Sequence, residues 1–259
     1  MVTEQPVLEA RKIVKSFGRV QALRGADFTV YPREVVALVG DNGAGKSTLV
    51  KTLVGVHPPD SGEILFEGRP VEVRSPHESR ELGIETVFQD LALAAEIDPA
   101  ANMFLGREVL RPGLLGKLGF LDKAEMRRRS YEAFDSLGVR IVDMNQPVAN
   151  MSGGQRQGIA ISRAVTWADK VVFMDEPTAA LGVVQTRNVL DVIKRVREQG
   201  RAVVLISHNM PEVFEVADRI EVLRLGARVA SLKPAEVSME DVVAAMTGAQ
   251  SYHEGNGGR

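Results

Sequence analysis

The stretch Gly40-Asp41-Asn42-Gly43-Ala44-Gly45-Lys46-Ser47-Thr48 has the spacing G-x-x-x-x-G-K-[ST]. Glycines at this spacing let several backbone N–H groups turn inward around an anion, and a helix opening near Lys46 adds its positive end. Lys46 is expected to reach β- and γ-phosphates, and Ser47 to set its hydroxyl on a magnesium ion. A second chemical pair, Asp175-Glu176, closes the apolar run 171–174. Adjacent side chains at a strand end point to opposite sides. Asp175 is therefore suited to the metal's shell and Glu176 to the attacking water, as general base. Gln89 and His208 follow two further apolar runs, 84–88 and 203–206. Gln89 is suited to orienting water or sensing the metal, and His208 to donating to the γ-phosphate.

These groups need strands to bring them together. Val35–Val39, 171–174 and 203–206 are rich in β-branched residues without polar alternation, the pattern of strands buried on both faces of a parallel sheet. Helical patterns lie between them at 46–54, 75–82, Lys123–Leu137, 155–167, 183–199 and 211–216. The alternation predicts an open, doubly wound α/β core. In such sheets ligands sit beyond the carboxyl ends of the strands, and all four polar positions follow such ends. In the first third, 7–13, 26–31, 62–67 and 70–73 read as short antiparallel strands forming a β layer beside the core. Residues 98–150 read as a mostly helical subdomain, with 112–119 a Gly/Leu-rich loop, and 1–248 as one domain with a frayed tail at 249–259.

Ser152-Gly153-Gly154-Gln155 opens the helix 155–167. It fits a capping box, S-x-x-Q. It also fits a second anion site, because two glycines leave the helix start bare for close approach. With one phosphate loop in the chain, a second anion site would serve the nucleotide of another copy, two chains capping each other head to tail.

Composition sets the outer limits. The 259 residues are 44% hydrophobic and 25% charged, with a formal net charge of −2 and no cysteine. The absent basic excess argues against nucleic acid as a partner, and the lack of cysteine excludes disulfides and thiolate zinc sites. Residues 1–8 do not read as an export signal, and no apolar stretch approaches membrane-spanning length. Trp167 is expected to pack, 127–129 to be a solvated helix face, and His57, His77 and His253 to be incidental.

Taken together, the loop 40–48, Gln89, Met151-Ser152-Gly153-Gly154-Gln155, the run 171–176 and His208 resemble, in order and spacing, the motifs of ABC transporter ATPases. The resemblance extends to about residue 248. It implies a P-loop NTPase core with a parallel sheet, an N-terminal antiparallel β layer and a helical subdomain. It implies ATP and Mg²⁺ as cofactors, and a homodimer with two ATP molecules at the interface and the signature residues acting in trans. It also implies an aromatic stacked on adenine, for which Phe17 is in place. Within the class, Ala101-Asn102-Met103-Phe104-Leu105-Gly106-Arg107-Glu108 and Thr178-Ala179-Ala180-Leu181-Gly182-Val183 resemble single-cassette importers of ribose, xylose or fructose. That branch implies membrane-spanning permease subunits met near Gln89 and 90–98, an extracytoplasmic sugar-binding protein, and a peripheral place on the cytoplasmic face of the inner membrane. Other cargoes, and ABC ATPases outside transport, are the rival readings. Two positions depart from the common pattern: Met151 where Leu is usual, and Gly182 where many members carry the D-loop Asp.

Overall fold

The structure is a computed structural model that describes residues 5–179 and 181–249. Ala180, His253 and the tail 250–259 lie outside the described residues. In chain order the elements are β1 (Leu8–Phe17), β2 (Val20–Val30), β3 (Val35–Val39), α1 (Lys46–Leu53), β4 (Ser61–Phe66), β5 (Arg69–Val71), α2 (Pro76–Glu81) and β6 (Ile84–Val87). There follow α3 (Pro99–Met103), α4 (Leu114–Lys117), α5 (Lys123–Leu137), α6 (Gly153–Trp167), β7 (Val171–Asp175) and α7 (Val183–Glu198). The chain continues through β8 (Ala202–Ile206), α8 (Met210–Val216), β9 (Arg219–Arg224), β10 (Ala227–Leu232) and α9 (Met239–Thr247).

The main sheet has the order β10-β9-β3-β8-β7-β6, and a four-stranded sheet of order β2-β1-β4-β5 lies apart from it. Within the main sheet β9, β3, β8, β7 and β6 run parallel, while every pairing in the smaller sheet is antiparallel. Strand alternation then sorts the core. Val36 and Leu38 of β3, Val171 and Phe173 of β7, and Val204 and Ile206 of β8 join the cluster that includes Leu8, Ile13 and Phe28 of the antiparallel layer. Their neighbours Val35, Val172, Met174, Val203 and Leu205 face the other way, against Ile161, Val165, Ile193 and Val196 of α6 and α7. Both faces of these strands are dry, which is why their sequences are unbroken apolar runs.

The antiparallel strands extend beyond their expected limits, β1 to Phe17 and β2 back to Val20. The expected loop 112–119 instead contains one helical turn, α4, stapled at its base by a Leu110–Leu121 bridge and by the Arg111 N–H donating to the Phe120 carbonyl at 2.9 Å. Two strands and a helix, β9, β10 and α9, were not expected. The sequence of β9, Arg-Ile-Glu-Val-Leu-Arg, hides its burial because its charges are paired. Glu221 is 1% exposed and meets Arg219, Ser231 and Arg228. Arg219 forks onto Glu34 at 2.7 and 3.0 Å, donates to the Thr29 carbonyl and lies over the Tyr31 ring. This charged cluster joins the two layers at the far side of the sheet.

The segment after α3 packs its own cluster of Phe104, Met126, Phe134, Met144, Val148 and Met151 around Ile159 of α6. Trp167 packs as expected, its indole N–H donating to the Met103 carbonyl at 3.1 Å and its ring edge-on to Phe104. Arg128 and Arg129 lie on an exposed helix face, paired with Glu125.

Candidate active site at the carboxyl ends of four parallel strands

The loop from Gly40 to Gly45 is shaped by what surrounds it. Gly40 has φ +155°, and a Cβ there would lie 2.2 Å from the Leu223 carbonyl oxygen of β9. Only glycine fits. The Ala44 N–H donates back to the Asp41 carbonyl at 3.0 Å, closing the turn. Outside, the Gly226 N–H donates to the Ala44 carbonyl at 2.9 Å and the Arg24 N–H donates to the Gly226 carbonyl at 2.7 Å. The β9–β10 turn and β2 thus brace the loop from behind. Gly45, with φ +104°, precedes α1 and offers no side-chain cap, so the first N–H groups of the helix remain directed into the loop. The Lys46 ammonium folds over it, donating to the carbonyls of Gly40 at 2.6 Å and Asp41 at 3.1 Å.

Beyond the sheet edge the acidic groups meet this lysine's field. Burial lowers the Lys46 pKa, opposed by Glu176, Asp175 and Asp41. Burial raises the Asp175 carboxyl, with Glu176 adding to it and Lys46 and Lys51 opposing. Asp175 is the last residue of β7, in register with Ile206 of β8. Glu176 leaves the ladder with φ +49°, a left-handed conformation costly for a residue with a Cβ, while its N–H donates to the Ile206 carbonyl at 2.9 Å. That turn aims the Glu176 side chain across to the next strand. There its Oε1 lies 2.8 Å from His208 Nδ1, with Glu176 18% and His208 76% exposed. Gln89 lies exposed, two residues beyond β6.

Asp175 ends β7, and Gly40, Gln89, Glu176 and His208 follow β3, β6, β7 and β8, which are consecutive parallel neighbours in the sheet. Topology therefore brings these groups to one edge. Ser152 and Gln155 form the capping box at the start of α6, each side chain meeting the other's backbone N–H at 3.1 and 3.3 Å. No hydrogen bond or ion pair among the described residues joins 152–155 to the loop 40–48. Phe17, 44% exposed, ends β1. His57 packs against it in an edge-on contact of 5.2 Å.

Three supports were not expected. Thr178 and Glu212 link the loops carrying Glu176 and His208. Arg163 of α6 donates to the carbonyls of Leu91 and Ala92, both at 2.9 Å. Asn102 of α3 holds Ala94, Ile97 and Asp98. The loop 90–98 is also sewn to the approach to Ser152, through Val148 N–H to Ile97 and Ala149 N–H to Ala95.

Residues 23–179 match the family model described as ABC transporter. The chain is 52% identical over 251 residues to the fructose import ATP-binding protein of Rhizobium meliloti, covering 96% of each. It is 47% identical to the xylose/arabinose import ATP-binding protein of Sulfolobus acidocaldarius, covering 93% of this chain and 94% of that one. Among solved structures it is similar to an ATP-binding cassette of an ABC transporter in its ADP conformation, with a TM-score of 0.78, 25% identity, and 93% and 95% of the two chains covered. With the phosphate loop, acidic pair and histidine on one sheet edge, these matches place the chain in the ABC transporter family, as an ATP-hydrolysing subunit.

Proposed function

We propose that this chain is the motor subunit of a monosaccharide importer, hydrolysing Mg-ATP as a head-to-tail homodimer against a separate membrane permease. The observation that carries hydrolysis is the convergence of the loop, Asp175, Glu176 and His208 beyond neighbouring strands. The cargo rests on similarity along almost the full length to fructose and xylose/arabinose import proteins.

In this reading the loop N–H groups and Lys46 bind the β- and γ-phosphates. The donor set of Ser47, Asp175 and Gln89 is all oxygen, which suits Mg²⁺. When bound, the metal neutralises phosphate charge. Glu176 takes the proton of the attacking water as its oxygen bonds to the γ-phosphorus, and the bond to the ADP oxygen breaks. His208, tethered by Glu176, presents its other ring nitrogen to the γ-phosphate. Phe17 stacks on adenine. Ser152, Gly153, Gly154 and Gln155 of one copy meet the nucleotide of the other.

Coupling to the permease runs through the loop after Gln89. Arg163 ties it to the helix that opens with Ser152, and residues 95 and 97 tie it to the segment just before Ser152. A push on 90–98 is therefore transmitted to the signature residues. No helix among the described residues is long and apolar enough to cross a membrane, so the importer reading requires permease subunits. It also places the chain on the cytoplasmic face of the membrane, with a sugar-binding protein outside.

The test has two arms. Purified wild type is expected to hydrolyse ATP only with Mg²⁺, and Glu176→Gln to bind ATP, stop turnover and elute as a dimer. Cells lacking the gene are expected to lose uptake of one labelled monosaccharide among fructose, xylose and ribose. Turnover by Glu176→Gln at the wild-type rate refutes the base. Unchanged uptake of all three sugars refutes the cargo and turns attention to another transported class.

A further inference from the structure

Glu212 stands on the first turn of α8 and touches neither the phosphate loop nor the acidic pair. Its carboxylate is used twice, by two different loops. The Thr178 hydroxyl donates to Oε2 at 2.5 Å, and the Asn209 side-chain amide donates to Oε1 at 2.7 Å. Thr178 is buried and lies two residues after Glu176; Asn209 follows His208. One carboxylate thus clasps both loops that carry the Glu176–His208 pair.

A glutamate in the first turn of a helix ordinarily turns back to cap the helix start or complements the helix dipole. Here the capping partner is already taken. The Asn209 N–H donates to Ser207 Oγ at 3.1 Å, and Asn209 makes no side-chain cap. Both Glu212 oxygens go instead to side chains of the two loops. The platform beneath is fixed: Val213 is fully buried, and Glu215 of the same helix pairs with Arg187 and Lys194 of α7 at 3.1 and 2.8 Å.

The clasp acts where the sheet stops acting. The β7–β8 ladder ends at Asp175 and Ile206, with one further bond from the Glu176 N–H. Past that point Glu176 sits in a left-handed conformation, and its 2.8 Å contact with His208 depends on how the two loops are spaced. Within the hydrolytic reading of this site, we infer that Glu212, through Thr178 and Asn209, is a positioning residue that sets the separation of the general base from His208.

The experiment measures steady-state ATPase rates together with the ¹⁵N resonance of His208 Nδ1 in the full chain. The variants are Glu212→Ala, Thr178→Val, Thr178→Ser and the Glu212→Ala/Thr178→Val pair. Loss of the clasp is expected to lower kcat about tenfold, a displacement of well under ~1 Å in the scale on which ~1 Å costs about 100-fold. KM for ATP should stay within about twofold, since no nucleotide contact is removed. Thr178→Ser keeps the hydroxyl and should stay near wild type. The double variant should be no slower than the slower single one, because the two share one interaction. The His208 Nδ1 resonance should move in Glu212→Ala and Thr178→Val toward its position in Glu176→Ala, and stay in place in Thr178→Ser. An unmoved resonance in Glu212→Ala and Thr178→Val overturns the proposal, whatever the rates, as does an additive double variant. If wild type itself is inactive with Mg-ATP, the hydrolytic reading falls, and the resonance alone decides whether Glu212 sets the pair.

Discussion

Replacing Asn102 tests how the loop 90–98 is held. Asn102 is fully buried on α3. Its Oδ1 accepts from the Ala94 N–H at 2.8 Å, and its Nδ2 donates to the carbonyls of Ala94 at 3.0 Å and of Ile97 and Asp98 at 3.2 Å. The amide has two N–H protons to share among the three carbonyls, so Asn102→Ala removes about three bonds' worth at about 0.5–1.5 kcal/mol each, roughly 1.5–4.5 kcal/mol together. In a chain of this size that lowers Tm by about 3–18 °C. Asn102→Asp is the sharper perturbation. It keeps the acceptor for Ala94 N–H but turns an ionised oxygen toward three carbonyls in a buried site, and should be less stable than Asn102→Ala at pH 8. The same surroundings raise the new carboxyl's pKa in the folded state above its unfolded value. The folded chain then holds more protons than the unfolded one between those two pKa values, so stability falls as pH rises through them. The deficit of Asn102→Asp relative to Asn102→Ala should therefore shrink at pH 5. Thermal melts of both variants at pH 5 and 8 measure this. An Asp variant as stable as the Ala variant at pH 8, or a gap independent of pH, would refute the argument.

Gly40→Ala places a methyl 2.2 Å from a backbone oxygen that cannot yield. A strain of about 1–3 kcal/mol at the loop should weaken binding of a fluorescent ATP analogue by about five- to 150-fold. Phe17→Ala should weaken ATP about fivefold, the low end of base–aromatic stacking at about 1 kcal/mol, and leave inorganic triphosphate binding unchanged by calorimetry. Burial, reinforced by Glu176, raises the Asp175 carboxyl, and the metal needs its charged form. Mg²⁺ support of nucleotide binding should thus decline on acidification from a pH above the ordinary aspartate range of about 4, and Asp175→Asn should erase that limb in Mg²⁺ titrations at pH 5, 6 and 7.5.

The fold was legible wherever one local cause sufficed. β3 coincides with the apolar run Val35–Val39 because both its faces are covered. α5 coincides with Lys123–Leu137 because Asp122 caps its start and Gly138, at φ +66°, ends it. β9 was hidden for the opposite reason. Its burial is made tolerable by Glu34, far back in the chain, and by Ser231 and Arg228 of the next strand, β10, and a strand whose charges are neutralised from other elements looks exposed in sequence.

The same division runs through the site. Groups proposed to do chemistry stand at strand ends, so an apolar run followed by Gly, Gln, Asp-Glu or His points to them. Two of the groups that hold loops are paired across 34 residues, for Thr178–Glu212, and 71–72, for Arg163 with Ala92 and Leu91, and no local pattern marks them. The two glycines after Ser152 show how structure divides a motif that sequence treats as one. A Cβ on Gly154 would lie 2.6 Å from the Gln185 side chain, so Gly154 already has a reason to be glycine inside its own chain. Among the described residues a Cβ on Gly153 would meet only Leu181, at an ordinary 3.7 Å, and the backbone there needs no left-handed turn. Nothing among the described residues asks for glycine at 153. The case for an outside anion approaching this helix start therefore rests on Gly153, and not on the pair.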